Sequence, residues 1–162
     1  MSHIRQISNE DNDKIIKLLY KSFGPGRFVR SVYRLREKND RDTEFSYIYE
    51  LNNQILSSIS YYKTFLNNDI NGLLLGPLAV DPEHRGKGYG VELVKYTIAL
   101  IKKTMAYDFI LVIGDYHYYE KFGFKKINNT FSFYGPVNSE KVLILPLKDE
   151  LKNNEYKIME FN

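Results

Sequence analysis

The stretch from residue 70 to residue 113 limits most strongly the folds that this chain can adopt. A markedly apolar segment, Ile70 to Val80, is followed by a basic glycine-rich turn and then by an amphipathic helix with apolar positions from Val91 to Ile101. A short apolar run, Phe109 to Ile113, comes next and is typical of a buried strand. Because a β-α-β crossover joins strands that run parallel, the chain is predicted to contain a parallel strand pair.

The rest of the chain adds antiparallel hairpins to this crossover. Asn52-Asn53 separates two segments rich in β-branched and aromatic residues, a pattern typical of a tight hairpin. The predicted element order is β-α-α-β-β-β-α-β-α-β-β, which gives an α/β (α+β) fold with a mixed sheet. Outside the crossover, the predicted strands are 4–7, 45–51, 55–66, 131–134 and 142–147, and the predicted helices are 8–23, 28–39 and 115–122.

Gly76 and Pro77 lie inside the predicted strand 70–80. Proline cannot donate a hydrogen bond to a strand ladder, and glycine weakens a strand interior. We therefore expect a bulge, or a loss of strand pairing, near these two residues.

Length and composition limit the number of domains. The 162 residues, 43% of them hydrophobic, suit one compact domain, predicted at 1–147. A polar tail, 148–162, is predicted to form a surface helix or to fray. No segment has the roughly 18 apolar residues of a membrane span, and the first residues lack the apolar block of a signal peptide. A cytoplasmic protein without membrane contact is therefore predicted.

Composition also excludes several kinds of site. Cysteine is absent, which excludes disulfides, thiolate metal ligands and cysteine nucleophiles. His3, His84 and His117 lack metal-ligand spacing, so no metal is predicted. The net charge of +3 is too small to indicate nucleic-acid binding but favours an anionic small ligand. Aromatic residues do not alternate with basic ones as RNA-stacking strands require, so nucleic acid is not a predicted partner.

The turn before the amphipathic helix is suited to binding a diphosphate. Glycines at 86, 88 and 90 allow successive N–H groups to point at one spot, where the helix dipole favours negative charge. Arg85 and Lys87 add positive charge. An ordinary turn is the alternative interpretation. The third glycine is wrongly spaced for a Rossmann fingerprint, and the P-loop's final Gly-Lys-Ser/Thr is missing.

The motif Arg85-x-x-Gly88-x-Gly90, preceded by Val80-x-Pro82, resembles the coenzyme A signature of the GCN5-related N-acetyltransferases (GNAT). Segments 75–82 and 114–124 further resemble the YhbS-like branch of predicted bacterial acetyltransferases. The resemblance implies a single mixed, mostly antiparallel sheet of about seven strands, with helices on both faces and a splayed central strand pair. It also implies an N-acetyltransferase that transfers an acetyl group from acetyl-CoA to a primary amine of a small molecule or peptide, by direct attack in a ternary complex.

The resemblance assigns cofactor binding to the strand end and to the turn. Backbone groups of the strand would contact the pantetheine arm, and an N–H near Leu78 would polarise the thioester carbonyl. Tyr118 would line the cofactor slot or pack in the core. The implied cofactor-binding residues are Leu78, Ala79, Val80, Arg85, Gly86, Lys87, Gly88, Tyr89, Gly90 and Tyr118.

Tyr119 is the predicted catalytic residue. The family's general acid is a tyrosine four residues before a Gly-Phe pair, the position that Tyr119 holds before Gly123-Phe124. It would protonate the departing coenzyme A thiolate. The structural alternative is a ring that packs on the short helix. The sequence departs from many members at Ile113-Gly114-Asp115, where they have an Asn that contacts pantetheine, and Asp115 is interpreted as a helix cap rather than a catalytic group.

The acceptor is left open by the sequence. By the resemblance it enters at the loop between the first two helices, where Phe23 and Arg27 are the predicted substrate-binding residues. Arg27 and the arginines after it could bind an acidic acceptor, but a solvated basic helix face is favoured. No general base is predicted, because 73–80 and 109–113 contain no Asp, Glu or His. The alternative function is a non-catalytic acyl-CoA-binding sensor or interaction module, and a homodimer is an assembly that the resemblance allows.

Overall fold

The computed structural model describes residues 3–24, 26, 41–127, 130–132, 137–149 and 158–160. The predicted helix 28–39 and Arg27 lie outside these residues. The strands are β1 (Ile4–Gln6), β2 (Arg41–Leu51), β3 (Gln54–Leu66), β4 (Ile70–Val80), β5 (Phe109–Ile113), β6 (Lys125–Lys126), β7 (Thr130–Ser132), β8 (Val142–Pro146) and β9 (Ile158–Glu160). The helices are α1 (Asn12–Phe23), α2 (Tyr89–Thr104) and α3 (Tyr116–Tyr119), and a 3-10 turn, Glu120–Phe122, continues α3.

Seven strands form one mixed sheet in the order β1-β2-β3-β4-β5-β8-β6. Among the described strands of this sheet, only β4 and β5 pair in parallel, and α2 connects them as the crossover pattern predicted. The other neighbours pair antiparallel. The predicted mixed, mostly antiparallel sheet of about seven strands is therefore confirmed.

Helices α1 and α2 cover opposite faces of this sheet. Successive side chains of a strand point to opposite faces. Accordingly, Ala79 packs with Ile15 and Leu18 of α1, whereas Leu78 packs against the core that α2 covers. Each buried aliphatic side chain contributes about 1.5–3 kcal/mol by leaving water. The predicted placement of helices on both faces is confirmed.

The parallel pair β4–β5 separates at the middle of β4. The last paired residues are Leu75 and Val112, although β4 continues to Val80. On its other side, the register between β4 and β3 shifts just after Leu75, so Gly76 and Pro77 form a bulge. Residues 78–80 then pair with β3 alone among the described strands. The expected irregularity at Gly76-Pro77 and the splayed strand pair are both confirmed.

The C-terminal strands differ from the sequence prediction. The strand predicted at 131–134 is observed as β7, which pairs in parallel with β9 in a separate two-stranded sheet. The edge of the main sheet is instead β6, Lys125–Lys126, which pairs with β8. Two exposed lysines have no apolar pattern, so only their pairing with β8 makes them a strand. The strand β9 lies in the segment where a surface helix or a frayed end was predicted.

Candidate functional site

A cleft of about 560 Å³ opens where β4 and β5 separate. Its walls come from the end of α1, the second half of β4, the turn before α2, and α3 with the 3-10 turn that follows it. Ten residues predicted for the site line it: Phe23, Leu78, Ala79, Val80, Arg85, Gly86, Gly88, Tyr89, Gly90 and Tyr118. The structure therefore brings together residues that lie almost one hundred positions apart in the chain.

The turn before α2 has free backbone donors beside the cleft, among the described residues. Gly86 and Gly88 have φ angles of +81° and +88°, a region that side chains other than glycine rarely adopt. Within the described residues, the N–H groups of Gly86, Lys87 and Gly88 donate no hydrogen bond. They directly precede the start of α2, where the positive end of the helix dipole favours anions. The turn thus has the geometry of an anion site.

Asp81, directly after β4, links the residues that lead into this turn to helix α1. Its buried carboxylate accepts a hydrogen bond of 2.9 Å from the Glu83 N–H and lies 3.2 Å from the Lys21 ammonium on α1. Burial alone would raise the pKa of Asp81, but the Glu83 N–H and Lys21 hold this pKa below its usual value. A second bond, 3.2 Å from Arg85 to the Ser22 carbonyl, also ties the turn to α1. These contacts fix the turn relative to the end of α1.

Tyr118 and Tyr119 have different surroundings. Tyr118 is half-buried in the cleft wall, and burial raises the pKa of its hydroxyl. A Cβ added at Gly90 would lie 3.2 Å from this hydroxyl, so Tyr118 reaches across to the start of α2. Tyr119 is only 8% exposed and is not among the residues that line the cleft. Its ring packs against Gly114, at the end of β5, and against the core residue Phe124.

Three further residues have roles predicted from the sequence: Asp115, Lys87 and Arg27. Asp115 caps α3, since its carboxylate accepts a hydrogen bond of 2.8 Å from the His117 N–H, as interpreted from the sequence. Lys87 is exposed and does not line the cleft. Arg27 lies outside the described residues.

Three cleft residues were missed by sequence reasoning: Ser22, Val91 and Lys121. Ser22 and Val91 are direct neighbours of predicted residues. Lys121 follows Tyr118 by three positions, and its ammonium lies 4.6 Å from the centre of the Tyr118 ring. The helical spacing of these two residues is the signal that could have identified Lys121.

Asp81, Glu83 and His84 form a group whose ligand atoms lie within 4.8 Å of one another. In the structure the Lys21 ammonium lies 3.2 Å from Asp81 and 3.7 Å from Glu83. A lysine cation therefore already neutralises the carboxylates that a metal ion would need. None of the described helices is long and apolar enough to span a membrane.

Comparison with known proteins agrees with the sequence resemblance. Residues 12–124 match the model of the acetyltransferase (GNAT) family. A search of curated proteins gives no match. Among solved structures, the fold is similar to that of the Escherichia coli GNAT family N-acetyltransferase YhbS in complex with CoA, with a TM-score of 0.80 and 22% identity over 98% of this chain and 88% of that chain.

Two other solved structures share the fold. A GNAT family acetyltransferase from Brucella melitensis in complex with acetyl-CoA has a TM-score of 0.66 and 23% identity, over 89% of this chain and 86% of that chain. The ribosomal-protein-S18-alanine N-acetyltransferase of E. coli has a TM-score of 0.62 and 15% identity, over 96% of this chain and 100% of that chain. These likenesses confirm the fold inferred from the sequence motifs, and the match to the family model confirms the family.

Proposed function

The chain belongs to the GNAT acetyltransferase family, and on that premise we propose that it transfers an acetyl group from acetyl-CoA to a primary amine of a small molecule or peptide. One observation carries the proposal. A turn whose N–H groups donate no hydrogen bond to the described part of the chain lies at the cleft, next to the gap beside β4. A diphosphate and an extended thioester arm need these two features side by side.

The cofactor would occupy the cleft from the turn to the strand gap. Its diphosphate would accept hydrogen bonds from the N–H groups of residues 86–88, next to the positive end of α2. Its pantetheine arm would run along residues 78–80, which have no partner strand on the β5 side among the described residues. YhbS binds CoA and the Brucella relative binds acetyl-CoA, which supports this choice of ligand.

In the proposed reaction, a neutral amine nitrogen attacks the thioester carbonyl carbon. Negative charge develops on the carbonyl oxygen, and a backbone N–H near Leu78 stabilises it. The carbonyl re-forms as the C–S bond breaks, and the departing coenzyme A thiolate takes a proton from Tyr119. The nitrogen loses its proton to solvent, and solvent returns a proton to the Tyr119 phenolate before the next turnover. The products are an N-acetyl amine and free CoA.

Tyr119 is proposed as the acid because of its position in the motif and its place beside the strand gap. Its ring contacts Gly114, the residue that follows β5 where the gap has opened. Its packing in the core would hold its hydroxyl in one direction. Tyr118 is proposed to contact the cofactor, because it lines the cleft and reaches Gly90.

The acceptor would approach past Phe23, at the end of α1, which lines the cleft. Arg27, four positions after Phe23 in the sequence, is proposed as a second substrate-binding residue. An α-amine with a pKa near 8 is often neutral at pH 7, whereas a lysine side chain with a pKa of about 10.4 rarely is. Because no base is proposed, an acceptor with a low amine pKa is favoured.

Release of the CoA thiol from acetyl-CoA in the presence of a panel of amines tests the proposal. The panel should compare small amines with peptides that have free α-amines, and a mass increase of one acetyl group should identify the product. We expect turnover with at least one amine, rising with pH as the amine loses its proton. CoA binding without turnover on any amine would instead favour the acyl-CoA-binding sensor.

A further inference from the structure

A second groove, of about 280 Å³, lies between helix α1 and the turn that joins β2 to β3. One wall consists of Lys14, Lys17 and Lys21, whose three- and four-residue spacing places them on one face of α1. Asn53 and Gln54 of the hairpin form the opposite wall. Both walls are exposed to solvent, so a small molecule can enter the groove from outside.

This groove is separate from the cleft where β4 and β5 part. Its apolar floor is Leu18 and Ile55, which belong to the core between α1 and the sheet. Within the described part of the chain, no residue that lines the groove also lines the cleft. A ligand of the groove would therefore be held by residues that neither the cofactor nor the acceptor uses.

Lys14 and Lys17 have positive charges that no acidic side chain balances. Neither ammonium group forms an ion pair with a carboxylate of the residues that the structure describes. Glu50 is near enough to Lys14 for their charges to interact, but its carboxylate binds Arg5 at 3.0 Å instead. The two lysines are therefore available to an anion.

Asp81 is the one acidic residue among the described residues that line the groove, and its charge is already balanced. Its carboxylate lies 3.2 Å from the Lys21 ammonium and accepts a hydrogen bond of 2.9 Å from the Glu83 N–H. Three lysines against one carboxylate leave two positive charges for a ligand.

The hairpin wall adds neutral hydrogen-bond donors. Asn52 and Asn53 have φ angles of +50° and +62°, as in a tight two-residue hairpin turn, and Gln54 begins β3. The side-chain amides of Asn53 and Gln54 donate no hydrogen bond to the described residues. Each amide group offers two N–H donors. The groove therefore has donors on both sides of an apolar floor.

The chemistry of these donors favours a phosphate over a carboxylate. Lysine binds phosphate as a point charge, whereas the planar fork of arginine suits a carboxylate, and no described lining residue is arginine. A phosphate monoester is mostly a dianion at pH 7, because its second pKa is about 6. Its charge matches the two unbalanced lysines, and its three free oxygens can accept hydrogen bonds from both walls at once.

We propose that this groove is a binding site for a small phosphate monoester. The phosphate lies between Lys14, Lys17 and the amides of the hairpin wall, and the carbon atoms of the ester lie over Leu18 and Ile55. The inference does not rest on the proposed function, because it uses no residue that lines the cleft. It assigns the protein a second ligand, distinct from the carrier and from the acceptor amine.

Nuclear magnetic resonance titration of the isotope-labelled whole protein tests the site. We expect phenyl phosphate to shift the side-chain amide signals of Asn53 and Gln54 and the methyl signals of Leu18 and Ile55, with one dissociation constant of about 1 mM that rises with salt. Inorganic phosphate should shift the amide signals alone, and more weakly. Phenylacetate, which joins the same ring to a single carboxylate, should bind at least tenfold more weakly than phenyl phosphate.

Two double variants separate charge from other effects. Lys14→Ala with Lys17→Ala should weaken phenyl phosphate binding at least tenfold, whereas Lys14→Arg with Lys17→Arg, which keeps both charges, should retain most of it. Lys102→Ala with Lys103→Ala is the matched control, because these exposed lysines lie at the end of α2, outside the groove. It should leave the affinity unchanged.

Several results would overturn the site. These are amide signals of Asn53 and Gln54 that do not move, equal binding of phenylacetate and phenyl phosphate, and a control variant that weakens binding as much as the Lys14 and Lys17 changes. Loss of the response when CoA saturates the protein would also overturn it, because the two ligands would then share one site. Acetyl transfer is measured separately, and its absence would overturn the proposed function while leaving the groove as a phosphate site.

Discussion

Two adjacent tyrosines, Tyr118 and Tyr119, differ in how deeply their side chains are buried. The first reaches into the cleft and the second packs in the core beside the strand gap. A hydroxyl that protonates a leaving group affects the chemical step, whereas one that contacts the cofactor affects binding. The two roles can therefore be distinguished by separate measurement of turnover and affinity.

For Tyr119→Phe we expect turnover to fall by about a hundredfold or more, because a general acid contributes rate in that range. The dissociation constant for CoA should stay nearly unchanged, since the ring and its packing remain. Single-turnover kinetics and calorimetry provide the two readings. Tyr118→Phe is the comparison and should change affinity more than rate. If Tyr118→Phe abolished turnover and Tyr119→Phe did not, the general acid would be Tyr118 and not Tyr119.

Gly90 is a position where close packing excludes a side chain. An added Cβ would lie 2.9 Å from Val80 Cγ2 and 3.2 Å from the Tyr118 hydroxyl, so both groups would have to move within the cleft wall. We expect Gly90→Ala to weaken CoA binding by about tenfold, equivalent to roughly 1.4 kcal/mol. Calorimetry measures this change. An unchanged affinity would show that the carrier does not depend on this part of the wall.

At the scale of elements, the end of β5 positions the short helix α3. Gly114 follows β5 directly, and an added Cβ there would lie 2.5 Å from Tyr119 Cε2. Gly114→Ala should therefore displace the Tyr119 ring and lower turnover more than cofactor affinity. Thiol-release kinetics and CoA titration together measure this. Equal losses of rate and affinity would point to general distortion of the cleft.

The link between β1, the start of α1 and β2 depends on one buried carboxylate. Asp11 accepts bonds of 2.8 and 2.9 Å from Arg5, whose guanidinium also lies 3.0 Å from Glu50. The Arg5 hydrogen bonds, aided by Ser8 and opposed by burial, lower the pKa of Asp11 well below its usual range. Because the native pKa is depressed, the stabilisation is complete above the unfolded pKa of about 3.9 and declines as pH falls toward the native pKa.

Asp11→Asn should therefore lower the free energy of unfolding by about 2 kcal/mol at pH 7, because it removes one partner of a charged pair. The difference from the unaltered protein should shrink below about pH 4. Urea unfolding at several pH values measures both. Asp13→Asn, an exposed change on α1, should have little effect at any pH. A pH-independent deficit for Asp11→Asn would contradict the assignment.

At the scale of the whole molecule, the cleft joins α1, β4, α2 and α3, so a ligand in it should stabilise the entire fold. At a hundredfold excess of CoA over its dissociation constant, we expect about 2.7 kcal/mol of added stability. For a domain of this size that raises Tm by roughly 5–10 °C. Thermal unfolding with CoA, and separately with RNA, measures the effect. A shift with RNA but none with CoA would contradict the proposed function.

Motifs and local patterns predicted much of the site. The glycine turn and the strand before it were identified from the sequence, because backbone conformation and spacing along a helix or strand are local properties. Tyr118 was implied by the family resemblance. The bulge at Gly76-Pro77 was predictable for the same reason. Lys121 was missed although its helical spacing from Tyr118 is a local signal, because its place in the cleft wall depends on how the 3-10 turn after α3 packs against the rest of the fold.

What the sequence by itself determined is the order of the described elements from β1 to α3, the parallel crossover and the turn suited to a diphosphate, since each follows from short-range periodicity or turn chemistry. Only the tertiary structure decided that Lys125–Lys126 forms the edge strand, that β7 pairs with β9, and that three lysines of α1 and the hairpin of β2 and β3 surround one groove. Pairing partners and shared cavities depend on contacts between residues far apart in the chain, and no local pattern encodes those contacts.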